Sequence, residues 1–135
     1  MGGSSITQEW KPEAQVSWYA AHIIMVVEYL DGVQDAYPLW ENVVAFKCDS
    51  AEEVYDLAEA CANRKYSEGL DDGFRCEDRP AILKFVGVRK IMEIIGVGEG
   101  GITSEVEITS SQLEVTTEQD LRSMMNGESV QVLLD

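Results

Sequence analysis

The chain has 135 residues, 45% of them hydrophobic and 26% charged, the balance of one ordinary globular domain and not of a disordered, collagenous or disulfide-built chain. With 25 acids against 10 bases the formal charge is −15. Such a field repels phosphate backbones and anionic lipid heads, which makes nucleic acid and membrane surfaces poor partners.

The opening Met1-Gly2-Gly3-Ser4-Ser5 reads as the start of a flexible tail over residues 1–16, with a single domain over 17–135. No basic stretch followed by an apolar run marks a secretion signal, and no apolar run reaches the roughly 18 residues of a spanning helix. Ile6 stands where a myristoylation pattern needs Ser or Thr. The expectation is a cytoplasmic protein without a lipid anchor.

Trp18 to Leu30 is rich in aromatic and β-branched residues and apolar on both alternating faces, the pattern of a buried strand. A turn from Asp31-Gly32 to Pro38 leads to a second strand, Leu39 to Cys48, with Trp40, Val44 and Phe46 on one face and Glu41 and Lys47 on the other, so the two form a hairpin. Ser50 and Glu53 make a capping box, after which Val54, Leu57, Ala58, Cys61 and Ala62 recur at helical spacing up to Tyr66. Ser67 to Arg79 is rich in Gly and acids and has no period, so it reads as a long surface loop.

Ala81 to Ile95, with Val86, Val88, Ile91 and Ile94, reads as a strand. Ile102 to Ile108 alternates, with Ser104, Val106 and Ile108 facing one way and Glu105 and Glu107 the other, so one face is wet. Leu113 and Val115 extend that strand past a bulge near Ser110-Ser111. Thr117 and Asp120 open a short helix carrying Leu121, Met124 and Met125 and closed by Gly127, and Val130 to Leu134 is a last strand. The fold class is therefore α+β, a mostly antiparallel sheet with one main amphipathic helix and one short C-terminal helix.

Only Pro80–Val97 is net basic, holding Lys84, Arg89 and Lys90 against Glu93, and these bases are expected to pair with acids on neighbouring strands. In its strand texture the chain resembles a family of small bacterial domains of unknown function. The likeness rests on Trp18-Tyr19-Ala20-Ala21, the helix from Ser50 to Ala58, Phe85 to Ile94, and Glu105-Val106-Glu107-Ile108. The segments Ser67–Asp78 and Gly96–Gly101 depart from it, and it implies no activity.

Chemistry is tested by elimination. Gly96, Gly98 and Gly101 match G-x-G-x-x-G, but a strand follows where a phosphate site needs a helix N-terminus, and Glu99 would repel the phosphate, so a hairpin turn is the better reading. His22 is the only histidine, set in an apolar strand and expected to bond a neighbour. Cys48, Cys61 and Cys76 form no C-x-x-C pair, and acidic surroundings push thiol pKa upward. Glu68, Asp71, Asp72, Glu77 and Asp78 do not follow the order of a calcium loop. No catalytic residue, cofactor or metal ligand is assigned.

What remains is recognition. The sequence leads us to expect a non-enzymatic, acidic interaction module. It would be a homodimer, because its first strand lacks a polar face, and an inhibitor or immunity-type protein for a basic partner. Asp71, Asp72, Glu77 and Asp78 are the candidate contacts, with an aromatic patch at Trp18, Tyr19 and Trp40. The alternative is a small-molecule binding domain or enzyme with a pocket around Trp18, Tyr19 and His22.

Overall fold

The computed structural model describes residues 17–95, 104–126 and 133–134; the expected tail over 1–16, the closing Gly127 and the glycine turn at 96–101 lie outside them. Strands β1 (Ser17–Tyr29) and β2 (Tyr37–Cys48) form the expected antiparallel hairpin. Helix α1 (Ala51–Cys61) starts where the Ser50 side chain accepts a hydrogen bond from the Glu53 N–H. It runs straight into a π turn, Ala62–Tyr66. A 3-10 turn (Leu70–Asp72) and strand β3 (Arg75–Cys76) then precede β4 (Arg79–Ile94). Strand β5 (Val106–Val115), helix α2 (Glu118–Met125) and β6 (Leu133–Leu134) complete the order. The Thr117 side chain caps α2 by accepting from the Asp120 N–H.

All strand pairs are antiparallel, and the sheet runs β3-β4-β1-β2-β5-β6. β1 therefore lies between two long partners and is buried on both faces, which is why its sequence alternates between apolar and apolar. On one face Ile23, Met25 and Val27 of β1, Val44 and Phe46 of β2, and Leu83 of β4 pack under Val54, Ala58 and Cys61 of α1. On the other, Ile24 and Val26 of β1, Leu39 of β2 and Leu113 and Val115 of β5 pack under Leu121 and Met124 of α2. Each fully buried aliphatic side chain contributes roughly 1.5–3 kcal/mol. Because α2 covers Ile24 and Val26, the two-sided apolar strand is accounted for within one chain. The reason for expecting a homodimer goes with it.

Three irregularities shift the sheet from the pattern read along the sequence. Opposite β1, the β4 register slips between His22 and Ile23 and again between Ile24 and Met25, leaving Arg89 and Val86 as extra residues. Opposite β2, β5 slips between Val43 and Val44, so Ile108 is the extra residue. That bulge lies nearer the start of the strand than Ser110-Ser111, and it turns Ile108 outward to 51% exposure where alternation had placed it inward. Glu105 sits in the turn before β5 with φ 70°, outside the strand expected from Ile102.

The stretch from Ser67 to Arg79 is also more ordered than the loop its composition suggests. Glu68 exchanges backbone hydrogen bonds with Leu83 of β4 at 3.0 and 2.9 Å. β3 and β4 are joined by Glu77 and Asp78, with Cys76 paired to Arg79. Both turn residues have positive φ, 52° and 64°, as a two-residue type I′ hairpin requires.

Candidate functional site

The face of the sheet that carries α2 also bears a polar cluster spanning the strands β4, β1 and β2. Glu41 of β2 is the acceptor. Its Oε2 receives His22 Nδ1 at 2.9 Å, Arg89 Nε at 2.9 Å and Arg89 Nη2 at 2.6 Å. The β1–β2 register puts Glu41 opposite Ile24, one diagonal step from His22. The bulge at Arg89 turns that side chain to the same side as Lys90, which pairs with His22. Glu41 is 12% exposed and Arg89 29%. Burial pushes the Glu41 carboxyl up, but the bonds from Arg89 and then His22 outweigh it and hold the group below its ordinary range. A carboxylate only accepts, so Nδ1 is the donor in the bond to Glu41. The cluster joins β4, β1 and β2 through side chains, one from each strand.

The sequence pointed to His22 as a hydrogen-bonded histidine and to Lys84, Arg89 and Lys90 as cross-strand partners of acids. Arg89 and Lys84 are paired, whereas the exposed Lys90 has no acid within ion-pair distance among the described residues. Lys84 Nζ meets Glu28 Oε2 at 2.6 Å. Trp18 shares the His22 face by alternation, whereas Tyr19 packs against the α1 layer. These three side chains therefore do not line one pocket. Trp40 is also in the α1 layer, edge-on to Phe74 with ring centroids 5.9 Å apart, so Trp18 lies apart from Tyr19 and Trp40 and the three make no single patch.

The acidic residues of the loop divide in two. Asp71 and Asp72 are exposed in the 3-10 turn, where Asp72 Oδ2 accepts from the Gly69 N–H at 2.7 Å, while Glu77 is held from another strand: Tyr29 Oη donates to its Oε2 at 2.6 Å and lies 3.6 Å from Cys76 Sγ. Arg79 stacks its guanidinium 3.8 Å from the Tyr29 ring centroid and bonds Asp31. The tip of the hairpin is thereby fastened to the end of β1. The carbonyl of Asp78 accepts from Arg75. Composition had shown acids in a loop, but not that a tyrosine from the far end of β1 reaches one of them.

A second polar group lies under the π turn. Glu107 Oε1 accepts from Tyr66 Oη at 2.8 Å and from Asn42 Nδ2 at 3.0 Å, and burial together with that carboxylate raises the Tyr66 pKa. Arg64 and Lys65 of the same turn both reach Glu105. Cys48 and Cys61 are buried with raised pKa values, burial being the main cause for each, while Cys76 is partly exposed. Among the described residues no group of three or more His, Cys, Asp or Glu side chains is placed to hold a metal ion. No described helix is long and apolar enough to cross a membrane. No protein-family model, curated protein or solved structure matches this chain, so the likeness in strand texture carries no family assignment.

Proposed function

We propose that this chain is a non-enzymatic binding module that docks a basic protein on the outer surface of its α1 layer. One observation carries the reading: the bases of the π turn are held inside the molecule while seven exposed acids of this layer are left without a base. Arg64 and Lys65 are drawn onto Glu105. Asp49, Glu52, Glu53, Asp56, Glu59, Asp71 and Asp72 stay exposed, and none has a base within ion-pair distance among the described residues. Glu52 and Glu53 benefit from the α1 N-terminus. Asp56 and Glu59 lie beyond the first turn, and their like-charge neighbours at helical spacing cost the helix about 0.2–0.5 kcal/mol per pair. A partner that supplies Lys or Arg would relieve that repulsion and be steered in by the field.

The test is to capture the partner on the immobilised chain from an extract of its source, then to measure association kinetics. Combining Asp56→Asn, Glu59→Gln, Asp71→Asn and Asp72→Asn should slow association about tenfold and flatten its dependence on salt, with the thermal midpoint nearly unchanged because exposed charges contribute little to folding. Association at the parent rate with the parent salt dependence would refute this reading.

A further inference from the structure

On the opposite face from that acidic surface, a cleft of about 520 Å³ opens between α2, the end of β1 and the middle of β4. Its volume is that of an ordinary small-molecule site. The floor is apolar, formed by Val26 and Val86 from the sheet and Leu121 and Met125 from the helix. Each wall then carries one acid and one base. The sheet wall has Glu28 and Lys84, 2.6 Å apart, and the helix wall has Glu118 and Arg122, 2.9 Å apart. Tyr37 and Asn126 also border the cleft, and neither side chain has a hydrogen-bond partner among the described residues.

We infer that the cleft binds a small zwitterion with an apolar body, the chemistry of an apolar amino acid. Three features select it. The chain's charge of −15 disfavours a ligand with net negative charge. The apolar floor gives no return to a bare cation, which would find only two carboxylates already neutralised by their bases. A molecule with one ammonium and one carboxylate, by contrast, meets a complementary charge for each on either wall. The resident ion pairs are about half-exposed or more, Lys84 at 51% and Arg122 at 62%. Such pairs contribute little by themselves, so opening one to admit the ligand's charges costs little. The apolar body then displaces water from Val86, Leu121 and Met125. The inference stands on a different face and different residues from the acidic surface, so either reading can fail alone.

The experiment follows backbone amide shifts of the full chain on titration with L-phenylalanine, 3-phenylpropanoate, 2-phenylethylamine and glycine. L-Phenylalanine is expected to shift the amides of Val86, Leu121 and Met125 saturably. The two singly charged analogues should bind about tenfold more weakly or worse, and glycine should not bind. The exposed replacements Lys84→Gln and Arg122→Gln, which leave the floor intact, should together weaken L-phenylalanine at least as much as deleting its carboxylate does. Equal or tighter binding of 2-phenylethylamine would mean attraction by the general field and overturn the inference. So would shifts located elsewhere, or no shift at all.

Discussion

The two faces of the sheet are covered by layers of unequal build. The α1 layer combines an 11-residue helix, a π turn and a 3-10 turn, and Phe46, Ile23, Met25, Val44, Val54 and Cys61 beneath it have no exposed surface. The α2 layer is an eight-residue helix whose inward Leu121 and Met124 keep 9% and 7% of their surface. The first layer is a sealed core with an acidic exterior. The second covers only part of its face and leaves a cleft at one end and the His22–Glu41–Arg89 cluster beyond the helix. Stability and recognition are thus divided differently on the two sides, and the division can be tested.

Truncation of the sealed core should produce the largest effect. Phe46→Ala is expected to cost about 4 kcal/mol, and Leu121→Ala about 2 kcal/mol, both read from urea midpoints. Hydrogen exchange should show the Leu121 variant opening α2 while α1 amides stay protected; equal losses in both layers would show that they are one cooperative unit. Next comes the Glu41 cluster. Its carboxyl is depressed in the fold, so its contribution is present above the unfolded value near 4.5 and is lost as pH falls through the lower folded value. Glu41→Gln should therefore cost about 2 kcal/mol near neutrality and much less at about pH 3, a convergence visible in urea midpoints taken across that range. The smallest effect belongs to Gly87, where an added Cβ would lie 2.8 Å from Met125 Cε and 3.4 Å from Tyr55 Oη. The methionine tip is flexible, so Gly87→Ala should cost about 1 kcal/mol, loosening α2 and leaving the exchange rates of α1 as they were.

Periodicity made most of this architecture legible. β1, β2, β4 and α2 lie within about two residues of where alternation and the Thr117 cap place them, and the helix expected from Ser50 to Tyr66 is α1 together with its π turn. What it missed traces to single residues. The extra residues at Val86, Arg89 and Ile108 depend on how two strands pair, and no one-strand pattern encodes that. The Glu77-Asp78 turn was hidden because neither position is Gly or Asn, the residues that usually announce positive φ. The same limit governed the polar cluster. His22 was expected to find a hydrogen bond, yet naming Glu41 and Arg89 as its company needs the register of three strands and a bulge together.

The place of β1 in the middle of the sheet also has a consequence for how the chain is made. Its hairpin partner β2 follows within a short turn, but its other neighbour is β4, where Trp18 meets Ile94. During synthesis β1 therefore waits with one row of backbone groups unpaired and apolar side chains uncovered until most of the chain has left the ribosome. Exposed strand edges of this kind pair readily with copies of themselves. Folding in the cell then becomes a contest between the arrival of β4 and the encounter of two nascent hairpins. Refolding in the test tube should lose yield as concentration rises, although the native fold buries the middle of that strand, from Ile23 to Val27, on both sides.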